Sequence, residues 1–270
     1  MNVLPTARQT QIVSALVEGN SIRATARIAG VEHKTVMRVL LRVGDRCGQI
    51  LNERMRRLPC RIMQADEIWT FVGKKEKRVG RNDNTEEVGD QYVFVAMDSE
   101  TKLVPSFRVG KRNAANAWHF MQDLESRLAR RVQLTTDGFR PYINAVEDAF
   151  GPNVDYAQLI KLYGEPQDAD KRYSPGEIVS ALPIPVTGNP RPYLISTSHI
   201  ERQNLTIRMQ LRRFTRLTNA FSKRLENLKA ACALHFAWYN FCRIHQTLRV
   251  TPAMAAGVTS ELWEVERLIN

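Results

Sequence analysis

The chain has 270 residues, 43% of them hydrophobic, and a formal net charge of +11 with a pI near 9.8. That length can bury a real core and can hold one large domain with a small one, and no run approaches about 18 consecutive apolar residues, which excludes a membrane-spanning helix. The basic excess is clustered: ten Lys or Arg and two acids lie between Glu201 and Arg249, which points to a polyanionic partner, most simply nucleic acid.

Residues 6–43 read as three helices. Asn20 or Ser21 can cap the second, whose small residues Ala24, Ala26 and Ala29 allow close packing, and Gly30 supplies a tight turn. Val36, Val39 and Leu40 mark the buried stripe of the third helix and leave His33, Lys34, Thr35 and Arg38 facing outward. This is helix-turn-helix patterning, with the third helix placed for a DNA major groove. A plain three-helix bundle with a solvated basic face has the same pattern. Residues 46–60 are expected to be a linker, helical and ended by Pro59. The opening MNVLPTARQ has no apolar signal run. Cys47, Cys60, Cys232 and Cys242 lack the CxxC spacing of a zinc or redox site, so free thiols in a reducing compartment are expected.

After Pro59 the texture changes. CRIMQADEIWTFVG, QYVFVAMDSE and KLVPSFRVG are strand-like runs, with KKEKRVGRNDN as a hairpin tip between the first two. NAANAWHFMQDLESRLAR is an amphipathic helix capped by Asn113. RVQLTTDGFRPY is a strand ending at Asp137-Gly138, and PYINAVEDAFG and VDYAQLIKLYG are a short helix and another strand. The alternation predicts an α/β fold, a mixed sheet with flanking helices. Residues 164–195 hold six of the twelve prolines, so a long helix is excluded there and an extended insertion is expected, with a short strand at ALPIPVTG. From His199 the chain reads as helical almost to His245, with a break near 217–222.

At 100° per residue, Asn204, Leu205, Arg208 and Arg212 lie near the direction of Glu201, while Ile200, Ile207, Leu211, Phe214 and Thr218 form a packed stripe. Glu201 therefore stands at the edge of the buried face, with Arg208 and Arg212 below it as candidate phosphate contacts. A surface Glu favoured by the helix dipole is the plainer alternative. On the first strand Asp66 and Glu67 alternate, so one of the two is expected to point into a given site. Asp137 ends a strand where ligands of open α/β sheets gather. Asp98 reads as a strand-end turn residue. His119, His199 and His245 are too scattered for a zinc site. A carboxylate set of this kind suits Mg²⁺ or Mn²⁺, and two such ions can serve an in-line phosphoryl transfer.

ADEIWTFVG, TTDGFRPY and the stretch from IERQNL through RRFTRLTNAFSKR resemble the transposases of the bacterial insertion sequence 1 family. The resemblance covers roughly residues 60–258. It implies an RNase H-like core at 61–258, an insertion at 164–195, a tail at 259–270, and a DDE triad of Asp66, Asp137 and Glu201 as catalytic metal ligands. The family analogy, not the residue pattern, chooses Asp66 over Glu67. WYNFCRIHQTLRVTPAMAA is similar to the end of many integrase-type cores, with Tyr239, Asn240, Arg243, His245, Thr251 and Pro252 as structural closure. Several relatives carry an N-terminal zinc finger, which the cysteine spacing here forbids, leaving residues 1–45 to recognise DNA ends.

The resemblance implies a DNA transposase, cytoplasmic and nucleoid-associated. It would act with two Mg²⁺ or Mn²⁺ ions on double-stranded DNA, both element ends and target, as a homodimer or larger assembly on DNA. A DNA-binding regulator derived from a transposase and an RNase H-like nuclease without strand transfer remain alternative readings.

Overall fold

The computed structural model describes residues 4–164, 178–216 and 218–270. Three helices open the chain: α1 (Thr6–Val17), α2 (Ile22–Ala29) and α3 (His33–Arg54). Ser21 caps α2, its hydroxyl accepting from the Ala24 N–H at 3.1 Å. Gly30 ends α2 at φ +61°, a left-handed conformation that costs glycine no Cβ clash. Val36, Val39 and Leu40 are buried and His33, Lys34 and Arg38 exposed, as the apolar period predicts. The stretch from residue 46 is not a separate helix: α3 runs unbroken to Arg54, and Val43, Cys47, Ile50 and Leu51 continue its buried stripe.

α3 packs along α7 (Leu225–Phe241), whose residues from Ala230 to Phe241 are all buried. The crossing is close because Gly44 faces Ala230. A Cβ on Gly44 would lie 2.6 Å from the Ala230 carbonyl oxygen.

A six-stranded sheet follows: β1 (Ile62–Val72), β2 (Gly89–Asp98), β3 (Ser106–Gly110), β4 (Val132–Thr136), β5 (Val154–Tyr163) and β6 (Ile178–Thr187), in the order β3-β2-β1-β4-β5-β6. β1, β2 and β3 are successively antiparallel, β4 and β5 join in parallel, and β6 returns antiparallel to β5. A three-stranded meander continued by two parallel strands is the expected RNase H-like arrangement. Val93 to Met97 of β2 form a continuous buried apolar run, as befits a strand covered on both faces. The 73–88 connection is a hairpin tip, closed by a 2.9 Å Lys74–Asp83 ion pair.

Helices cover both faces. α4 (Ala114–Arg127), capped by Asn113, and α5 (Pro141–Phe150) lie on one: Phe94 of β2 meets Phe120 and Tyr142 there. Phe107 pairs with Val95, which alternation puts on the other face, and it meets Phe236 of α7. The expected Pro-rich strand is longer than ALPIPVTG. Pro183 and Pro185 are tolerated because β6 is an edge strand. Residues 165–177 of the expected insertion lie outside the described residues.

The basic helix also differs from expectation. α6 (Ser198–Gln210) stops early, a 3₁₀ turn follows at Arg212–Phe214, and residues 218–224 lead without a helix to α7. Leu211 and Phe214 are buried without being on the helix. Leu217 lies outside the described residues. The closing motif is structural: Asn240 exchanges hydrogen bonds with the Val104 N–H (3.0 Å) and carbonyl (2.8 Å). Tyr239 donates to the Lys102 carbonyl at 3.1 Å, and Thr251 caps α8 (Pro252–Ala255). Among the described residues no helix is long and apolar enough to cross a membrane.

Candidate metal and nucleic-acid site

β1 and β4 run side by side up to the pair Ala65↔Thr136. The next residues, Asp66 and Asp137, are level with each other, but β4 has ended. Asp137 therefore sits in the opening where the two strands part. Asp66 pairs with Val95 and Glu67 with Phe94, so their side chains leave opposite faces of β1. Both still reach Asp137: carboxylate oxygens of Asp66, Glu67 and Asp137 all lie within 4.8 Å of one another. The expectation that alternation admits only one of Asp66 and Glu67 fails here, because Asp137 lies beyond the end of β4 and is accessible from both sides of β1.

Each acid is held. Asp66 accepts from the Asn204 amide of α6 at 2.8 Å and from the Glu67 N–H at 2.8 Å. Asp137 accepts from the Phe139 N–H at 3.0 Å, and its own carbonyl accepts from Thr136 (2.8 Å) and Gln158 (3.0 Å). Glu201 lines the same pocket but is not within the close set of three. Gln64, two residues before Asp66 on the same face, brings it there: the Gln64 side-chain oxygen accepts from the N–H groups of His199 (3.0 Å) and Ile200 (3.1 Å), satisfying the open first turn of α6. Lys161 of β5 pairs with the Glu201 carboxylate, and Thr197 donates to it at 2.5 Å.

Arg112 bridges two of the acids, 3.4 Å from Glu67 and 3.4 Å from Asp137, with its guanidinium 3.9 Å from the centre of the Phe139 ring. One guanidinium does not neutralise the cluster. Burial, reinforced by the Asp137 charge, pushes the Asp66 carboxyl up to about 7 and that of Glu67 up to about 8. Burial also raises Asp137, against the opposing pull of the Phe139 N–H and Arg112. Glu67 Oε1 is buried without a hydrogen bond of good geometry among the described residues, the nearby buried Tyr142 hydroxyl being its one polar neighbour outside the acids and Arg112. An all-oxygen donor set, crowded and short of positive charge, fits a hard divalent cation. The pocket around it is open, about 700 Å³, and Asp66, Arg112, Asp137, Lys161 and Glu201 line it.

The basic candidates divide differently. Arg208 is half-buried with one guanidinium nitrogen unpartnered among the described residues, and neither it nor Arg212 lines the acid pocket. Arg212 instead shares a second groove with His33. Lys34 and Arg38 are exposed beside it on α3, and Arg38 donates to Thr35 at 3.2 Å. Asp98 closes a turn as expected, accepting from the Thr101 N–H (2.8 Å) and hydroxyl (2.7 Å). Arg112, Lys161, Gln64 and Thr197 were not singled out in the sequence. Gln64 and Thr197 stand two and four residues before an acid, a spacing that carries no signal of its own, whereas Arg112 and Lys161 come from other elements and no local spacing connects them to the acids.

No protein-family model matches the chain, and no curated protein matches it. Among solved structures it is similar to the Mos1 transposase paired-end complex with left transposon end, at 17% identity over 58% of this chain and 60% of that one, TM-score 0.26. It is also similar to the Mos1 Strand Transfer Complex, at 15% identity over 89% of this chain and 78% of that one, TM-score 0.26. The chain thus spans less than two thirds of the first. Likeness this distant adds nothing to the geometry, on which the reading of the site rests.

Proposed function

We propose that the chain is a DNA transposase of the DDE type, within or near the insertion sequence 1 family, with Asp66, Asp137 and Glu201 as its catalytic carboxylates. One observation carries the reading: these three acids, from a central strand, the end of its parallel neighbour and the first turn of a basic helix, line one open pocket of an RNase H-like sheet. Asp66 and Asp137 would hold Mg²⁺ or Mn²⁺ with Glu67 beside them, and Glu201 would complete the set. Bound there, a divalent ion supplies Lewis acidity, making a water or 3′-hydroxyl a better nucleophile and offsetting charge on the departing oxygen.

The chain's own residues prepare that chemistry. Asn204 fixes one Asp66 oxygen, and Lys161 with Thr197 fixes Glu201. Arg112 restrains Asp137, and both cations line the pocket that a phosphodiester would enter. The N-terminal helices, with His33, Lys34, Thr35 and Arg38 at the start of α3, would read the element end, while Arg208 and Arg212 would contact its phosphates. Two DNA ends joined in one event call for at least two copies on DNA.

The test is a labelled duplex carrying the ends that flank the gene, incubated with protein and Mn²⁺. A nick at the element boundary, lost in Asp137→Asn while binding persists, supports the reading, and joining of pre-cut ends separates a transposase from a nuclease. Cleavage by Asp137→Asn at the normal rate would overturn the triad. Binding without any nick would favour a regulator.

A further inference from the structure

A groove of about 820 Å³ lies between the N-terminal helices, residues 211–213 and 218–223, and α7, apart from the acid pocket. Its walls are largely aliphatic, with Met37 and Leu40 of α3 facing Leu211 and Leu234. Two polar side chains of α7 also line it without partners. His235 is 1% exposed and neither ring nitrogen has a hydrogen-bond partner among the described residues. The Asn227 side-chain oxygen is likewise buried and unpartnered. Burial pushes the His235 imidazole down to about 3, so it is neutral, with one N–H to donate and one nitrogen to accept. Exposed cations stand at the margin, Arg23, Arg212 and Lys223, with the exposed His33 beside them.

Buried polar atoms in native proteins almost always have partners, so orphans lining a cavity describe its ligand. A lone anion would satisfy the margin and leave the apolar walls and His235 unmatched. A fatty acid would match the walls and the margin but leave His235 and Asn227 unpaired. A planar heterocycle with ring acceptors and amino donors, carrying a phosphate, answers all three features. We propose that this groove binds one nucleotide, its base against His235 and Asn227 and its phosphate at Arg212 and Lys223. The nucleotide can be a free mononucleotide or one unit of a DNA strand. Only the second source rests on the DNA-handling function proposed above.

The probes are 2-aminopurine deoxynucleoside monophosphate, the same nucleoside without phosphate, and a short single strand carrying one 2-aminopurine, each titrated into the full chain and read by fluorescence. Saturable binding of the monophosphate identifies a free nucleotide as ligand, and binding only within the strand identifies DNA. His235→Leu is expected to weaken binding by about tenfold or more, the loss that follows when a buried partner is removed. Its thermal midpoint should not fall, since an unpaired polar group has been replaced by an apolar one. Arg212→Ala, at an exposed position, should weaken the phosphate-bearing probes and leave the nucleoside unchanged. It carries the test if His235→Leu does not fold. Asp137→Asn should bind all probes as the unaltered chain does, so a failure of the catalytic reading is distinguishable. No binding of any probe, or unchanged affinity in both groove variants, overturns the proposal.

Discussion

Lys161 of β5 and Glu201 of α6 form an ion pair that fastens the basic helix to the sheet at the rim of the acid pocket. The ammonium therefore stands at the carboxylate that a catalytic cation would need. Lys161→Met should tighten Mn²⁺ binding by roughly three- to tenfold in the absence of DNA, because a competing positive charge is gone. If the proposed function holds, the same variant should cleave more slowly, having lost a cation in the pocket that a phosphodiester would enter. Calorimetric titration with Mn²⁺, beside a cleavage assay, checks both. Weaker Mn²⁺ binding would mean that Lys161 only positions Glu201.

Asp66 and Glu67 are adjacent, yet their partners separate their roles. Asp66 is aligned by Asn204 from the helix that carries Glu201, whereas Glu67 is shared with Arg112. Asp66→Asn should abolish metal-dependent cleavage. Glu67→Gln should retain it at about 10–100-fold lower rate, the usual cost of disturbing a group that supports metal ligands. Equal losses in the two variants would place both among the ligands.

Stability should depend on pH in the direction opposite to that of a paired surface acid. Asp66 and Glu67 hold their protons up to about 7 and about 8, while their ordinary values are 3.8 and 4.5. Between these limits the folded chain binds more protons than the unfolded one, so stability is complete below the unfolded values and is lost as pH rises through the folded ones. The melting temperature of the metal-free protein should therefore fall between about pH 5 and about pH 8.5. Saturating Mg²⁺ should flatten that fall and stabilise more at the alkaline end. A metal-free melting temperature that rises across the same range would contradict the carboxylate crowding.

Gly44 marks the tightest approach of α3 to α7. Gly44→Ala puts a methyl group 2.6 Å from the Ala230 carbonyl oxygen, and overpacking of this kind costs about 1–3 kcal/mol. The intrinsic preference of helices for alanine works the other way by about 1 kcal/mol. A net loss in a denaturant melt is expected, and Gly44→Val should be worse.

Much of the fold was legible because its signals are local. Apolar runs and turn residues give five strands and two helices in order, and Ser21, Gly30 and Asn113 mark helix ends by their own chemistry. The end of α6 was not legible, since Leu211 and Phe214 keep the helical period while the backbone has already left the helix. β6 was only partly legible, because its prolines argue against a strand until its edge position is known. In the site, Asp66, Asp137 and Glu201 were found by residue type and family resemblance. The part played by Glu67 was missed because alternation describes a strand with neighbours on both sides, and here one neighbour ends. Arg112 and Lys161 are related to the acids only through tertiary structure.

The continuity of α3 has a geometric consequence. Its 22 residues make a rod about 33 Å long, with the outward-facing His33 and Lys34 at one end and the close crossing with α7 along its middle. Number of residues and angle of presentation are then the same variable: one residue inserted between these points would turn the amino-terminal face by about 100° and advance it by about 1.5 Å. Whatever that face reads, it reads at an azimuth set by the helical screw, as a key is indexed to its shaft.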